Sequence, residues 1–224
     1  MAFYEELLEA TQAEREELLN LPLIRAGAAG QVSREAYIAF LTQAYHHVKF
    51  TVPLLTVCDA CLPERLGWLH EGLAEYIKEE EGHEEWVLND IKACGGDAGS
   101  VRHGVPAPAT EKMVAYAYDV ITLVNPIGFF GMVLVLEGTS VQIALQAGRA
   151  LQQSLGLPGS AFTYLTSHGA LDQKHTEFYE SLVNRLDDPN DRAVLIHSAK
   201  AFYKLYGDIF RELEQQHPLV AEAC

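Results

Sequence analysis

The stretch from Leu165 to Leu186 carries polar residues where an amphipathic helix normally carries leucine. Read as a helix, it has an inward stripe at alternating steps of three and four residues, the spacing of a buried helix face. The stripe consists of Leu165, His168, Asp172, His175, Tyr179, Leu182 and Leu186. Positions i, i+4 and i+7 of a helix lie within roughly 60° of one another, so His168, Asp172 and His175 share one face. An unpaired buried carboxylate is costly, and the triplet therefore predicts either a metal ion or a network of hydrogen-bonded core histidines.

The stretch from Pro63 to Gly95-Gly96 repeats this anomaly. Its inward stripe consists of Leu66, Leu69, Leu73, Tyr76, Glu80, His83, Val87, Ile91 and Cys94. Glu80 and His83 form the Glu-x-x-His pair with which helical bundles hold di-iron and di-manganese centres. Glu79 and Glu81 fall off the stripe, and we expect them on a solvated face with Glu84 and Glu85.

The stretch from Asn125-Pro126 to about Leu155 adds one acid to an apolar face. Glu137 shares a stripe with Phe130, Val133, Val141 and Ala144. A carboxylate there is a metal ligand, an acid with a shifted pKa, or half of an ion pair.

Two adjacent histidines occur on a further predicted helix, from about residue 34 to 60. His47 shares a face with Phe40 and Phe50 and is expected to point inward, whereas His46 lies with Thr42 and Lys49. His47 is then a ligand, a partner that orients a ligand, or a core histidine. Whether either histidine replaces Glu80 as a ligand, or adds to it, stays open.

Helix-breaking residues divide the chain into about seven helical stretches with no strand-like alternation. The other predictions are a first helix from about Ala2 to Asn20, a bend at Pro53, a helix that Thr110 caps, and a last helix from Asp188. Segments 21–33 and 96–109 are expected to be irregular. A chain of 224 residues with these features predicts an all-α, single seven-helix bundle spanning residues 1–224 as one domain.

The formal net charge of −15 argues against nucleic acid and anionic membranes as partners. The longest uncharged run, Val120 to Leu136, is broken by Asn125-Pro126 and is too short to span a bilayer. The acidic segment Met1 to Leu19 does not resemble a signal peptide. Cys58-x-x-Cys61 lacks a second pair at zinc spacing, which fits a reduced, cytoplasmic compartment.

Three helices thus place six candidate metal ligands in the middle of apolar stripes. They are Glu80, His83, Glu137, His168, Asp172 and His175. Oxygen and imidazole ligands without a thiolate favour iron or manganese over structural zinc, and six such ligands suit two ions with open positions.

These residues resemble the haem-oxygenase-like di-iron oxidases and oxygenases. Their signature on the sixth helix, His-x-x-x-Asp/Glu-x-x-His, corresponds to His168, Asp172 and His175, and the ligands on the earlier helices correspond to Glu137, His83 and Glu80. The resemblance covers essentially the whole chain. It implies a haem-oxygenase-like bundle with two iron ions, manganese being the other possible metal, that activates O2 and oxidises a small organic molecule.

We therefore expect an O2-dependent di-iron oxidase acting on a small, partly apolar substrate. Its cavity would be lined by residues such as Tyr76, Phe130, Val133 and Tyr179. The alternatives are a metal-free relative of the TenA-like thiaminases or pyrroloquinoline-quinone synthases that acts on a thiamin- or quinone-like heterocycle, and a non-catalytic binding protein. Members of this fold commonly associate, so a homodimer or larger homo-oligomer is expected.

Overall fold

The computed structural model describes residues 2–219, except the side chains of 168–174. Within these residues every regular element is helical, so the prediction of an all-α fold is confirmed. The α-helices are α1 (Phe3–Ala10), α2 (Gln12–Leu19), α3 (Pro22–Ala28), α4 (Arg34–Val48), α5 (Thr51–Ala60), α6 (His70–Glu80), α7 (His83–Ala93), α8 (Ala98–His103), α9 (Pro108–Asp119), α10 (Phe130–Leu155), α11 (Thr163–Val183) and α12 (Pro189–Gln216). Short 3-10 helices cover Glu64–Leu69, Pro126–Phe129 and Gly159–Ala161, and a π-helix covers Val120–Val124.

Each of the seven predicted stretches is helical, but several are broken into two. The first divides at Thr11, a buried residue whose hydroxyl donates to the Leu7 carbonyl at 2.8 Å. The second divides at Lys49–Phe50 and not at Pro53, which lies in the first turn of α5. Proline is tolerated there because the first turn of a helix has no internal acceptor for its N–H groups.

The third predicted stretch is not the continuous helix that its stripe indicated. It consists of the 3-10 helix Glu64–Leu69 followed by α6 and α7, which are separated by Glu81 and Gly82. Gly82 has a φ of 90°, a left-handed conformation that glycine adopts without steric cost. Glu80 is therefore the last residue of one helix and His83 the first residue of the next.

Two segments that were expected to be irregular contain short helices. Pro22 occupies the first turn of α3, and the Asp97 side chain caps α8 by accepting from the Ser100 N–H at 3.0 Å. The predicted cap at Thr110 is wrong, because α9 already begins at Pro108. The buried Thr110 hydroxyl instead donates to Gln43 Oε1 at 2.8 Å and joins α9 to α4.

Helix α10 lies at the centre of the bundle, where it packs against α11 and α12. A Cβ added at Gly131 would lie 2.6 Å from the backbone nitrogen of Ala199 on α12, so glycine is required for this close approach. The inward stripe predicted for α12 is buried throughout. It consists of Leu195, Ala199, Phe202, Tyr206, Ile209 and Leu213.

The start of α12 is held by a buried carboxylate. Asp191 Oδ1 accepts from Asn125 Nδ2 at 2.8 Å and from Arg65 Nη2 at 2.9 Å. These bonds connect α12 to the 3-10 helix Glu64–Leu69 and to the turn that precedes α10.

The segment Pro126–Leu155 is long and apolar enough to cross a membrane by length and composition alone. The uncharged run Val120 to Leu136, in contrast, was predicted to be too short. In the fold, 56% of the most apolar window of Pro126–Leu155 is buried against the rest of the bundle. Such burial is typical of the core helix of a bundle.

Candidate metal centre

Three helices bring two carboxylates and an imidazole together inside the bundle. One potential ligand atom from each of Glu80, Glu137 and His175 lies within 4.8 Å of the other two. The exposed fractions of these side chains are 10%, 14% and 5%. Glu80 ends α6, whereas Glu137 and His175 lie inside α10 and α11, so the cluster exists only where the three helices meet.

One ring nitrogen of His175 faces two carboxylates. Nδ1 is 3.5 Å from Glu137 Oε1 and 3.8 Å from Glu80 Oε1. Two carboxylates held close together away from water repel each other unless a cation or a shared proton compensates their charge. The donor set of carboxylate oxygens and an imidazole nitrogen fits a transition-metal ion such as iron.

His83 extends this cluster through Glu80. Its Nδ1 lies 3.0 Å from Glu80 Oε2, and its ring packs on Trp86 with the ring centroids 4.0 Å apart. The Glu-x-x-His pair therefore forms a contact across the break at Gly82 and not along one continuous helix. The other two predicted ligands, His168 and Asp172, lie outside the side chains that the structure describes.

Glu79 is exposed, as predicted, but it also contacts the cluster. It was expected on the solvated face, but its Oε2 lies 3.0 Å from His175 Nε2 while the side chain stays 44% exposed. The reason is that a helix presents both its i+3 and its i+4 neighbours to a packed partner. Counted from Tyr76, these neighbours are Glu79 and Glu80. Glu81, the residue that follows α6, is exposed as predicted.

The two adjacent histidines are both buried. His47 is 2% exposed, so its inward prediction is confirmed, and it packs edge-on against Tyr206. His46 was expected beside Lys49 on the outer face, yet it is only 1% exposed. Its Nδ1 does lie 3.2 Å from Lys49 Nζ. Burial, and then the charge of Lys49, lower the pKa of His46 to about 4.

A cavity of about 80 Å³ adjoins the cluster, and we call it the head cavity. Its lining is His47, Val48, Thr51, Leu55, Tyr76, Glu80, Phe129, Met132, Val133, Leu136, Glu137, Ser140 and Tyr164. Tyr76 and Val133 were predicted to line it. Phe130 and Tyr179 do not belong to this lining, and the Tyr179 hydroxyl donates to the Phe130 carbonyl at 2.9 Å. Phe129 lines the cavity instead, because it lies three and four residues before Met132 and Val133 and so shares their face.

Tyr76 carries a polar atom that the fold leaves without a hydrogen bond. Its side chain is 1% exposed, and among the described residues its hydroxyl has no partner. Burial, and then the nearby charge of Glu137, raise the pKa of Tyr76 well above its usual value. Tyr76 is therefore a neutral hydrogen-bond donor that faces the head cavity at physiological pH.

The sequence over residues 38–207 matches the model of a protein family described as iron-containing redox enzymes. The chain belongs to this family. None of the curated proteins matches the sequence. The membership agrees with the donor chemistry of Glu80, Glu137 and His175.

Solved structures show that this chain has a haem-oxygenase-like fold. It superimposes with a TM-score of 0.86 on a protein from Shewanella denitrificans that is described as a domain of unknown function with that fold. The two sequences are 23% identical, and the match covers 96% of this chain and 94% of the other. A TenA homologue from Pseudomonas syringae gives a TM-score of 0.81 at 11% identity and coverages of 96% and 93%. A CADD-like protein from Nostoc punctiforme gives 0.74 at 15% identity and coverages of 95% and 99%.

Proposed function

We propose that this protein is an O2-activating, non-haem di-iron oxidase or oxygenase that acts on a small, partly apolar organic substrate. The observation that carries the proposal is the buried meeting of Glu80, Glu137 and His175 in a member of an iron-containing redox enzyme family. Buried carboxylates that approach one another without a cation would be costly, and a metal ion removes that cost.

The residues that would hold the iron are Glu80, His83, Glu137 and His175 together with His168 and Asp172. Iron bound there would reduce O2 and so activate it for the oxidation of a substrate. The carboxylates would compensate the metal charge, and the contact between His83 and Glu80 would fix the orientation of that carboxylate.

The head cavity is the place where we propose the substrate binds. Its walls next to Glu137 are apolar, including Val133 and Leu136, and they would exclude bulk water from the reacting atoms. Tyr76 would donate a hydrogen bond to a substrate acceptor, because its buried hydroxyl has no partner among the described residues.

Iron binding tests the proposal directly. Anaerobic loading with Fe(II) should give close to two ions per chain by elemental analysis, and should raise the midpoint of thermal unfolding because the metal binds the folded state. His175→Ala and Glu137→Ala should each lower the iron content. Glu81→Ala should leave it unchanged, since that side chain is exposed and lies outside the cluster.

Two outcomes would contradict the proposal. One is wild-type protein that retains no iron and unfolds at the same temperature with and without saturating Fe(II). That result would favour a metal-free enzyme acting on a heterocycle, or a binding protein. The other is normal iron content in folded His175→Ala and Glu137→Ala variants.

We also propose that the protein is a cytoplasmic homodimer or larger homo-oligomer with no nucleic-acid or membrane partner. The net charge of −15 supports the absence of polyanionic partners. A monomer in sedimentation at micromolar concentration would contradict the proposed association.

A further inference from the structure

A second cavity of about 110 Å³ lies between α3, α4, α10, α11 and α12, and we call it the tail cavity. None of its lining residues carries a charge, and most are aliphatic or aromatic, as Ile24, Ala36, Ile143 and Leu151 illustrate. A charged group here would lose its hydration without gaining an ionic partner, because the only polar side chains of the lining are hydroxyls, those of Thr139 and Ser140 among them. An apolar group is therefore what the tail cavity can accept.

The tail cavity and the head cavity are neighbours with a common wall. Leu136, Ser140 and Tyr164 line both. Leu136 and Ser140 are one helical turn apart on α10 and flank Glu137 of the metal cluster. The backbone of Tyr164 is fixed because its N–H donates to Asp90 Oδ2 at 2.8 Å. A ligand that passes this wall would extend from the cluster into apolar surroundings.

Two hydroxyl groups near this wall could form hydrogen bonds with one end of such a ligand. The hydroxyls of Tyr76 and Ser140 are buried and lack a hydrogen-bond partner among the residues described here. Both residues line the head cavity. Buried hydroxyls normally find a partner, so a ligand atom that accepts from them would complete the site.

We propose that the tail cavity is the binding site for the unbranched aliphatic chain of the substrate, whose hydrogen-bond-accepting head group lies in the head cavity. The hydroxyls of Tyr76 and Ser140 donate to this head group, and Leu136 and Tyr164 contact the first carbons of the chain. The inference rests on the proposed function for the identity of the reacting end, but the tail cavity itself does not depend on the metal.

Straight-chain primary alcohols from butanol to nonanol test the tail cavity in the metal-free protein by isothermal titration calorimetry. Their neutral hydroxyl can accept from Tyr76 and Ser140 without repulsion from the carboxylates. Affinity should rise about fourfold for each added methylene, the value that burial of a methylene implies, until the cavity is filled. Alcohols that bind with the same affinity at every length, or that do not bind, would overturn the proposal.

Substitutions on α10 locate the chain. Ile143→Ala enlarges the tail cavity and should move the plateau to a longer alcohol. Leu145→Ala, the matched truncation two residues further on, should not move it because Leu145 lines neither cavity. Ala144→Leu should move the plateau to a shorter alcohol. If Ile143→Ala and Leu145→Ala behave alike while both remain folded, the chain does not occupy this cavity.

Tyr76→Phe separates the head from the tail. It should weaken every alcohol by a similar factor and leave the gain per methylene unchanged, since only the hydroxyl contact is lost. A change in the gain per methylene would contradict the assigned orientation. Because these titrations need no iron, their failure would leave the iron test unaffected, and a failure of iron binding would leave the tail cavity standing.

Discussion

Glu79 offers the sharpest test of how the cluster is organised. Its Oε2 contacts Nε2 of His175, and so Nδ1 is the nitrogen that faces Glu80 and Glu137. Carboxylates that hold the second nitrogen of a ligating histidine fix its tautomer and ring orientation. Glu79→Gln keeps the size of the side chain but removes the charge that favours an N–H on Nε2. We therefore predict weaker metal binding in this variant.

The size of the effect follows from the exposure of Glu79. Loss of such an orienting partner usually lowers metal affinity by about 10- to 100-fold. Glu79 is 44% exposed, so water screens its interaction with His175, and the lower end of that range applies. We expect about tenfold weaker binding, which corresponds to roughly 1.4 kcal/mol.

The assay is an anaerobic titration with Fe(II), or with Co(II) as a spectroscopic substitute, at pH 7. Glu81→Gln is the matched control. Glu81 lies two residues after Glu79, and its side chain is exposed and outside the cluster, so the variant loses the same charge without touching His175. Metal-free wild type and both variants should unfold at similar denaturant concentrations. Equal losses in Glu79→Gln and Glu81→Gln would reveal a general charge effect, and wild-type affinity in Glu79→Gln would refute the orienting role.

Two further predictions concern the fold around the site. Gly131→Ala should destabilise the protein by roughly 1–3 kcal/mol, because the added Cβ would lie 2.6 Å from the backbone nitrogen of Ala199. Gly138→Ala, on the same helix, should stabilise it by roughly 0.5–1 kcal/mol, since its Cβ meets no described atom within 4 Å. Urea unfolding measures both, and equal effects would refute the packing argument. At Asp191, burial raises the pKa, but the hydrogen bonds from Arg65 and Asn125 and the charge of Arg65 together outweigh it, so the net pKa is lowered from 3.8. Its contribution to stability is thus present above that pH and lost below it, and Asp191→Asn should cost roughly 1.5–3 kcal/mol near neutral pH but progressively less in acid. An equal cost of Asp191→Asn at pH 7 and pH 3 in denaturant unfolding would contradict this assignment.

The amino-acid sequence by itself determined the helical class and which faces of the helices are buried. The stripe of α12 could be read from local periodicity, because apolar side chains must leave water wherever the helix is placed. Glu80, Glu137 and His175 stand out in the sequence for the same reason, since a charged or polar residue in an apolar stripe needs a compensating partner. That these three meet within 4.8 Å agrees with that reasoning.

The tertiary structure alone decided where helices break and which neighbours join the cluster. Nothing in the local pattern distinguishes a continuous helix from one interrupted at Thr11 or Gly82, because helix propensities differ by less than packing energies do. His46 is buried although its helical position indicated an outer face.

The angle at which α6 meets α11 brings Glu79 to His175 as well as Glu80, and no single helix carries information about that angle. The head and tail cavities depend on the same information, since their walls come from helices that are distant in sequence. Contacts within one helix follow from its own spacing. Contacts between helices are fixed only when the apolar faces of all the helices are buried against one another at the same time.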